Sequence, residues 1–275
     1  MQIAAREMVW RGKSINKWWL CFTAEQDRST IAKDFPSSQK YEYSYNGRTW
    51  KPFARNLTLI LSKRGEKVYF RAGKGGNTSA SGTTYMYPFV MTGKISASGN
   101  IMSLLNGEEE SEVINDTGAF AYLFSRCTSL ISAPDLPATK LANLCYARMF
   151  RGCTSLTKAP ELPATILASG CYEYMFSGCT SLIQTPELPA TSLATNCYGY
   201  MFENCTSLTE APELPAIEVI DNCYYYMFSG CTSLTQAPEL LATTMAGQCY
   251  TAMFRNCTSL VDAPKLPATT LAKNC

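Results

Sequence analysis

The chain contains no histidine among its 275 residues. Ser-His-Asp and Cys-His catalysis and imidazole-based zinc sites are therefore excluded, because they need a ring nitrogen that titrates near neutral pH or binds a metal. No apolar run reaches the roughly 18 residues of a membrane span. Charged residues make up only 17% of the chain and apolar residues 46%, which predicts a folded protein rather than a disordered one.

Charge is divided unevenly along the chain. Residues 1–110 carry a net charge of +7 and residues 111–275 a net charge of −5. No basic stripe stands out in either part, so we expect no nucleic-acid partner. The first twenty residues lack the apolar block and cleavage site of a secretory signal peptide, so export would need another route or an upstream segment.

A 26-residue repeat fills the second part of the chain. The motif Cys-Thr-Ser-Leu begins at Cys127 and recurs every 26 residues up to Cys257, and a second cysteine column runs from Cys145 to Cys275. Met-Phe and Leu-Pro-Ala recur at the same period. Six units follow one another from Ala119 onward. The first unit is atypical, as expected of a terminal unit that does not have another unit on both sides.

Within each unit the constant residues predict a short helix. A helical wheel places five constant residues on one side: Cys145, Tyr146, Met149, Phe150 and Cys153. This predicts about two helical turns with an apolar inner face, followed by a short strand that ends near Pro160 and Pro163. Because elements this short are unstable alone, we expect the units to stack as a solenoid.

The repeat resembles the BspA-type leucine-rich repeats of bacterial surface proteins, found in Bacteroidetes and their phages and mobile elements. The pattern Met-Phe-x-Gly-Cys-Thr-Ser-Leu-Thr-x-Ala-Pro-Glu-Leu-Pro-Ala-Thr carries the resemblance, which covers residues 119–275. It implies a curved binding scaffold at a bacterial cell surface or on a phage virion, with no catalytic residue and no cofactor. The unit departs from the family in its greater length and in the cysteine at position 145.

The N-terminal part reads as a separate β-rich region. From Tyr41 to Tyr45, tyrosine alternates with a polar residue, which is the period of a β-strand. The Asn46-Gly47 pair that follows is typical of a hairpin turn. We expect a small antiparallel β-sandwich there. The predicted fold class is therefore α+β with repeats: an N-terminal tail at 1–16, a β-rich domain at 17–91, a lead-in that caps the solenoid at 92–118, and a C-terminally open leucine-rich repeat solenoid at 119–275.

The cysteine columns favour a structural role over chemistry. Zinc needs four converging thiolates, whereas Cys145 and Cys153 lie eight residues apart on the predicted helix, so we expect no metal site and no disulfide within a unit. A disulfide between neighbouring coils stays open. We expect free thiols that act as small apolar core residues: Cys145, Cys153, Cys171, Cys179, Cys197, Cys205, Cys223, Cys231, Cys249 and Cys257.

Two sets of variable residues are candidates for ligand contact. The first is a group on the predicted outer face of the helices, where tyrosine combines contact area with a polar tip: Arg148, Tyr174, Tyr200, Tyr225 and Tyr226. The second is the row that flanks the predicted strands: Lys158, Gln184, Glu210 and Gln236, with Ser132 and Asp262 at its ends.

An acidic column lies close to the second row. It consists of Asp135, Glu161, Glu187, Glu213 and Glu239, and it ends in Lys265. Stacked carboxylates repel one another, so the column indicates either a well-solvated edge or cation binding between coils, and we favour the solvated edge.

These observations predict a non-enzymatic recognition or adhesion protein that binds a protein or glycan through the solenoid surface. The alternative, from a different class, is a structural spacer or assembly component of a virion or surface appendage, which would associate end to end through its C-terminal coil. An enzyme would have to use carboxylates without histidine, and no carboxylate pair stands out.

Overall fold

The structure is a computed structural model that describes residues 19–33, 40–73, 89–106 and 111–275. The predicted tail at 1–16 lies outside these ranges. The strands are β1 (Leu20–Ala24), β2 (Ser29–Ala32), β3 (Tyr41–Ser44), β4 (Lys51–Pro52), β5 (Thr58–Leu61), β6 (Lys67–Ala72), β7 (Val90–Thr92), β8 (Ile95–Ser98) and β9 (Leu130–Ser132), and the helix is α1 (Ser103–Asn106).

The strands form two sheets. One has six strands in the order β4-β3-β6-β1-β8-β9, and the other has three in the order β5-β2-β7. All pairs are antiparallel except β8 with β9, which is parallel. β3 and β4 are joined through a turn in which the Asn46 side chain accepts hydrogen bonds from the Arg48 and Thr49 amides at 2.8 and 2.9 Å. Pro52 lies in the edge strand β4, where a missing N–H is tolerated.

The prediction of a leucine-rich repeat solenoid with a strand and a helix in each unit is wrong. Among residues 111–275 the structure has one three-residue strand, β9, and no helix. The later units contribute only isolated parallel bridges, such as Lys158 with Gln184 and Glu210 with Gln236. The α+β class with repeats is therefore replaced by an almost entirely β and turn structure.

The segment predicted as a helix is a series of four-residue turns. Its residues take a left-handed conformation at every fourth position, for example at Leu144 (φ 56°), Arg148 (φ 58°) and Gly152 (φ 72°). A right-handed helix cannot continue through such residues. The constant residues Cys145, Met149 and Cys153 are themselves four apart, so a four-residue turn repeat places them on one side as well as a helix would.

The turns leave alternate amides free to bond to the next unit. The amide of Tyr146 donates to the Cys171 carbonyl at 3.0 Å and that of Phe150 to the Met175 carbonyl at 2.9 Å, whereas the Met149 amide donates within its own turn to Tyr146 at 3.1 Å. The same pattern joins each unit to the next. The units therefore stack through backbone hydrogen bonds, and we call residues 111–275 the stack.

Identical side chains meet along the interior of the stack. A phenylalanine column runs from Phe124 to Phe254, with neighbouring rings stacked at 5.5 to 5.7 Å. A parallel column begins with Phe120 on Tyr146 at 5.6 Å and continues through tyrosines to Tyr250. One hydrophobic cluster joins these columns to the cores of both sheets.

The stack continues the six-stranded sheet, because the first unit pairs directly with a strand of that sheet. β8 lies between β1 and β9, so the lead-in supplies a strand to which the first unit adds. Phe89, just before β7, stacks on Phe124 at 5.7 Å and meets Phe22 of β1 at 5.2 Å. The atypical first unit therefore faces the sheet, and the phenylalanine column continues into the aromatic core beneath it.

No helix in the described part of the chain has the length and apolar character needed to cross a lipid bilayer.

A pair of glycines tests the left-handed turns. Gly178 has φ 74°, and a methyl group added there would meet no atom closer than Gly152 Cα, at 3.7 Å. Gly178→Ala should therefore cost about 1 kcal/mol through backbone strain alone, and Gly178→Asn less, because asparagine tolerates this conformation. The free energy of unfolding in urea measures both changes.

The matched control is Gly199→Ala. Gly199 lacks a left-handed φ, and an added methyl group would meet its neighbours at ordinary distances of 3.5 to 3.8 Å. We expect this substitution to stabilise the protein by about 0.4–1 kcal/mol, because alanine restricts the unfolded chain. Equal effects of the two alanine substitutions would contradict the turn assignment.

Candidate functional site

Each unit of the stack has three left-handed positions, and the middle one differs from the other two. The outer two columns hold glycine or asparagine at most positions: Gly118, Leu144, Gly170, Asn196, Asn222, Gln248 and Asn274 in one, and Arg126, Gly152, Gly178, Asn204, Gly230 and Asn256 in the other. The middle column holds Tyr122, Arg148, Tyr174, Tyr200, Tyr226 and Ala252. Bulky side chains occupy a conformation that costs them about 1–2 kcal/mol per residue.

The middle column places large side chains in register on the surface. Tyr174 stacks on Tyr200 with ring centroids 4.2 Å apart and planes 7° from parallel, and Tyr200 stacks on Tyr226 at 5.1 Å. The Arg148 guanidinium lies over the Tyr174 ring at 4.5 Å. All four side chains are half-exposed. We call Arg148, Tyr174, Tyr200 and Tyr226 the ladder.

Tyr225 lies beside the ladder rather than in it. Its ring meets Tyr200 edge-on at 5.2 Å and Tyr226 at 4.6 Å with a 54° tilt. The structure thus brings together all five residues of the first candidate group. The helical wheel placed them on one face for the wrong reason, since the four-residue turns produce the same grouping.

The surroundings of the ladder raise the pKa of two of its hydroxyls. Partial burial, followed by the contact with Tyr174, raises the pKa of the Tyr200 hydroxyl well above its ordinary value. Burial also raises the pKa of Tyr174. The hydroxyls of Tyr174 and Tyr200 are therefore protonated at physiological pH and offer neutral hydrogen-bond donors and acceptors.

Charge is concentrated at the Arg148 end of the ladder. Arg148 Nη1 pairs with Glu173 Oε2 at 3.1 Å, and Glu203 Oε2 accepts a hydrogen bond from the Ser177 hydroxyl at 3.0 Å. Arg151 is exposed and lies 5.5 Å from the Tyr174 ring centre. It has no ion pair among the described residues, so its charge is available to an anionic group.

The backbone under the ladder is fully engaged. The amides of Tyr174, Tyr200 and Tyr226 donate to the next unit at 2.8 to 3.0 Å. The carbonyls of the same three residues accept hydrogen bonds from the amides three residues further on, at 3.1 to 3.2 Å. Only side chains are left to recognise a ligand on this face.

The second candidate row lies apart from the ladder. Lys158, Gln184, Glu210 and Gln236 are exposed, and they pair by parallel bridges as Lys158 with Gln184 and Glu210 with Gln236. Open grooves adjoin the row, one of about 390 Å³ that includes Lys158, Pro160 and Glu161 in its lining. These side chains are not stacked on one another and do not pack against neighbouring rings in the described part of the chain. Their positions are therefore less fixed than those of the ladder side chains.

The acidic column is exposed along its whole length, from Asp135 through the glutamates at 161, 187, 213 and 239 to Lys265. Among the described residues, no three acidic or thiol groups come together as a metal ion would require.

The two cysteine columns lie in the interior of the stack. All thirteen cysteines are free, and of the ten core candidates only Cys257 is half-exposed. In the column of Cys153, each thiol donates to a phenylalanine carbonyl of the preceding unit, from Cys153 on Phe124 at 3.0 Å to Cys257 on Phe228 at 3.1 Å. Burial raises the pKa of the Cys145 and Cys179 thiols to about 12. Such thiols are poor nucleophiles at neutral pH.

Sequence reasoning missed two residues of the site, Tyr122 and Arg151. Tyr122 heads the middle column, and the Arg148 guanidinium lies 5.5 Å from its ring centre as well. The available signal was the recurrence of glycine and asparagine at positions eight apart, such as Gly170 with Gly178 and Asn196 with Asn204. That spacing marks two left-handed positions with a third midway between them.

Comparisons of the chain with protein-family models, with curated proteins and with solved structures gave no match.

A pair of tyrosines separates the ladder from the core. Tyr200→Asn should cost no more than about 2 kcal/mol, because the loss of three ring contacts of about 0.5–1.5 kcal/mol each is partly offset by relief of about 1–2 kcal/mol of left-handed strain. Tyr198→Ala, two residues away in the buried column, should cost about 3–5 kcal/mol. Urea unfolding compares the two, and a cost at Tyr200 equal to that at Tyr198 would assign the ladder a purely structural role.

Proposed function

We propose that this protein is a non-enzymatic recognition protein that binds a protein or glycan ligand through the ladder. The observation that carries the proposal is the middle left-handed column, where aromatic or arginine side chains stand at every position except Ala252, whereas the neighbouring columns mostly have glycine or asparagine. Backbone strain of this kind persists where it serves a site. The resemblance to BspA-type repeats, which the comparisons do not identify, supports an adhesion role at a bacterial surface or on a phage virion.

The composition and the thiols also support a binding role. The chain has no histidine, and the thiols of the two cysteine columns are buried except for the half-exposed Cys257 and Cys275. The ladder offers ring edges, hydroxyls and one guanidinium group. These are groups typical of recognition surfaces, where tyrosine and arginine carry much of the binding energy.

The test is binding of the purified chain to arrays of host glycans and surface proteins. The ladder variant carries Tyr174→Asn, Tyr200→Asn and Tyr226→Asn, substitutions that suit the left-handed backbone, and its melting curve should stay close to that of the parent protein. We expect it to lose at least tenfold in affinity for any ligand that the parent protein binds.

A control variant substitutes the second row with alanine at Lys158, Gln184, Glu210 and Gln236. It should bind as the parent protein does. Full binding by the ladder variant together with loss in the control would move the site to the second row and overturn the proposal.

A further inference from the structure

We propose that the ligand of the ladder is a linear acidic polysaccharide, an inference that rests on the proposed function and specifies its ligand class. The structural basis is the arrangement of Arg151 and the ladder, in which a cation with no ion pair among the described residues adjoins a row of tyrosine hydroxyls.

The stacking of the ladder excludes one common mode of sugar or base recognition. Tyr174, Tyr200 and Tyr226 lie face to face at 4.2 and 5.1 Å, so the inner faces of their rings are covered by one another. A ligand approaching from solvent meets ring edges and the hydroxyls of Tyr174 and Tyr200. Tyr225, tilted by 54° to Tyr226, is oriented differently from the rings of the ladder. The surface therefore suits a ligand rich in hydroxyl groups of its own.

The backbone argues against an extended peptide. β-strand addition requires free main-chain donors and acceptors on the receiving surface. Under the ladder these groups are engaged between units and within turns, as with the Tyr200 amide on the Tyr225 carbonyl at 2.8 Å and the Glu203 amide on the Tyr200 carbonyl at 3.1 Å. A peptide would have to bind through its side chains alone, whereas a polysaccharide is recognised through side chains in any case.

The charge at one end supplies the preference for an acidic ligand. Arg148 is paired with Glu173 at 3.1 Å, and Glu203 is held by the Ser177 hydroxyl. Arg151, exposed and 5.5 Å from the Tyr174 ring centre, has no ion pair within the described residues. A guanidinium group binds carboxylate or sulfate through paired hydrogen bonds.

The period of the stack favours a linear ligand. Neighbouring units of a hydrogen-bonded stack lie about 4.8 Å apart, so the ladder repeats its contacts at a regular interval along the stack. A polymer bound along the stack would contact the tyrosine hydroxyls over its length and the guanidinium group of Arg151 at one end.

The chain contains a matched control for Arg151. Arg255 occupies the same position four units later and is also exposed, but it makes no ring contact among the described residues, whereas Arg151 lies 5.5 Å from the Tyr174 ring centre. Arg151→Gln and Arg255→Gln therefore remove the same charge from the same backbone position, one beside a ladder tyrosine and the other without a ring contact.

The experiment is isothermal titration calorimetry of the full chain with four probes: oligogalacturonate, dextran sulfate, neutral dextran and polyglutamate. We expect binding of oligogalacturonate or dextran sulfate, weakened by added salt, with about a tenfold loss in Arg151→Gln and less than a twofold loss in Arg255→Gln. The first two probes distinguish carboxylate from sulfate as the recognised acid.

Several results would overturn the inference: equal binding of neutral dextran, equal binding of polyglutamate, equal losses in both arginine variants, or no binding of any probe. If array ligands need the ladder tyrosines but are indifferent to Arg151→Gln, the acidic ligand class fails and the proposed function stands. If the ladder variant binds all array ligands normally, the proposed function itself fails.

Discussion

The hydrogen bond from one unit to the next is the interaction on which the rest of the structure depends. It exists because every fourth residue of the turn segment is left-handed, which turns alternate amides away from their own turn and toward a carbonyl 25 residues later. Isolated turns of this length have no stability of their own. Once the bonds form, identical side chains are brought into register, and the stacked phenylalanine and tyrosine columns follow from that register.

The same constraint explains why the residue types recur in the interior of the stack and vary on its surface. Inside the stack each residue contacts copies of itself, so cysteine, methionine, phenylalanine and tyrosine recur with little change. Outside, the left-handed backbone favours glycine and asparagine in two columns. The middle column departs from that preference, and its half-exposed rings stack on one another at the surface rather than in the interior, which points to function rather than to folding.

The sequence alone predicted the unit length, the stacking partners and the buried positions, because a 26-residue period fixes which residues meet. It did not predict the turns. Cys145, Met149 and Cys153 are four apart, and over so short a segment a period of four cannot be told from the helical period of 3.6. Strand β8 was missed because Ile95-Ser-Ala-Ser98 has little β-propensity, and its place in the sheet is set by pairing with β1 on one side and β9 on the other. The tyrosines were found, whereas Arg151 was not, because its contact with Tyr174 depends on the turn geometry.

The tolerance of the middle column has a consequence for how such a protein diversifies. Tyr122, Arg148, Tyr200 and Ala252 occupy equivalent backbone positions with φ between 51° and 62°, so the scaffold accepts aromatic, cationic and small side chains alike. Duplication, deletion or exchange of whole 26-residue modules would therefore lengthen, shorten or reorder the recognition pattern while leaving the register of the interior intact. Specificity can drift module by module without a new fold having to be found.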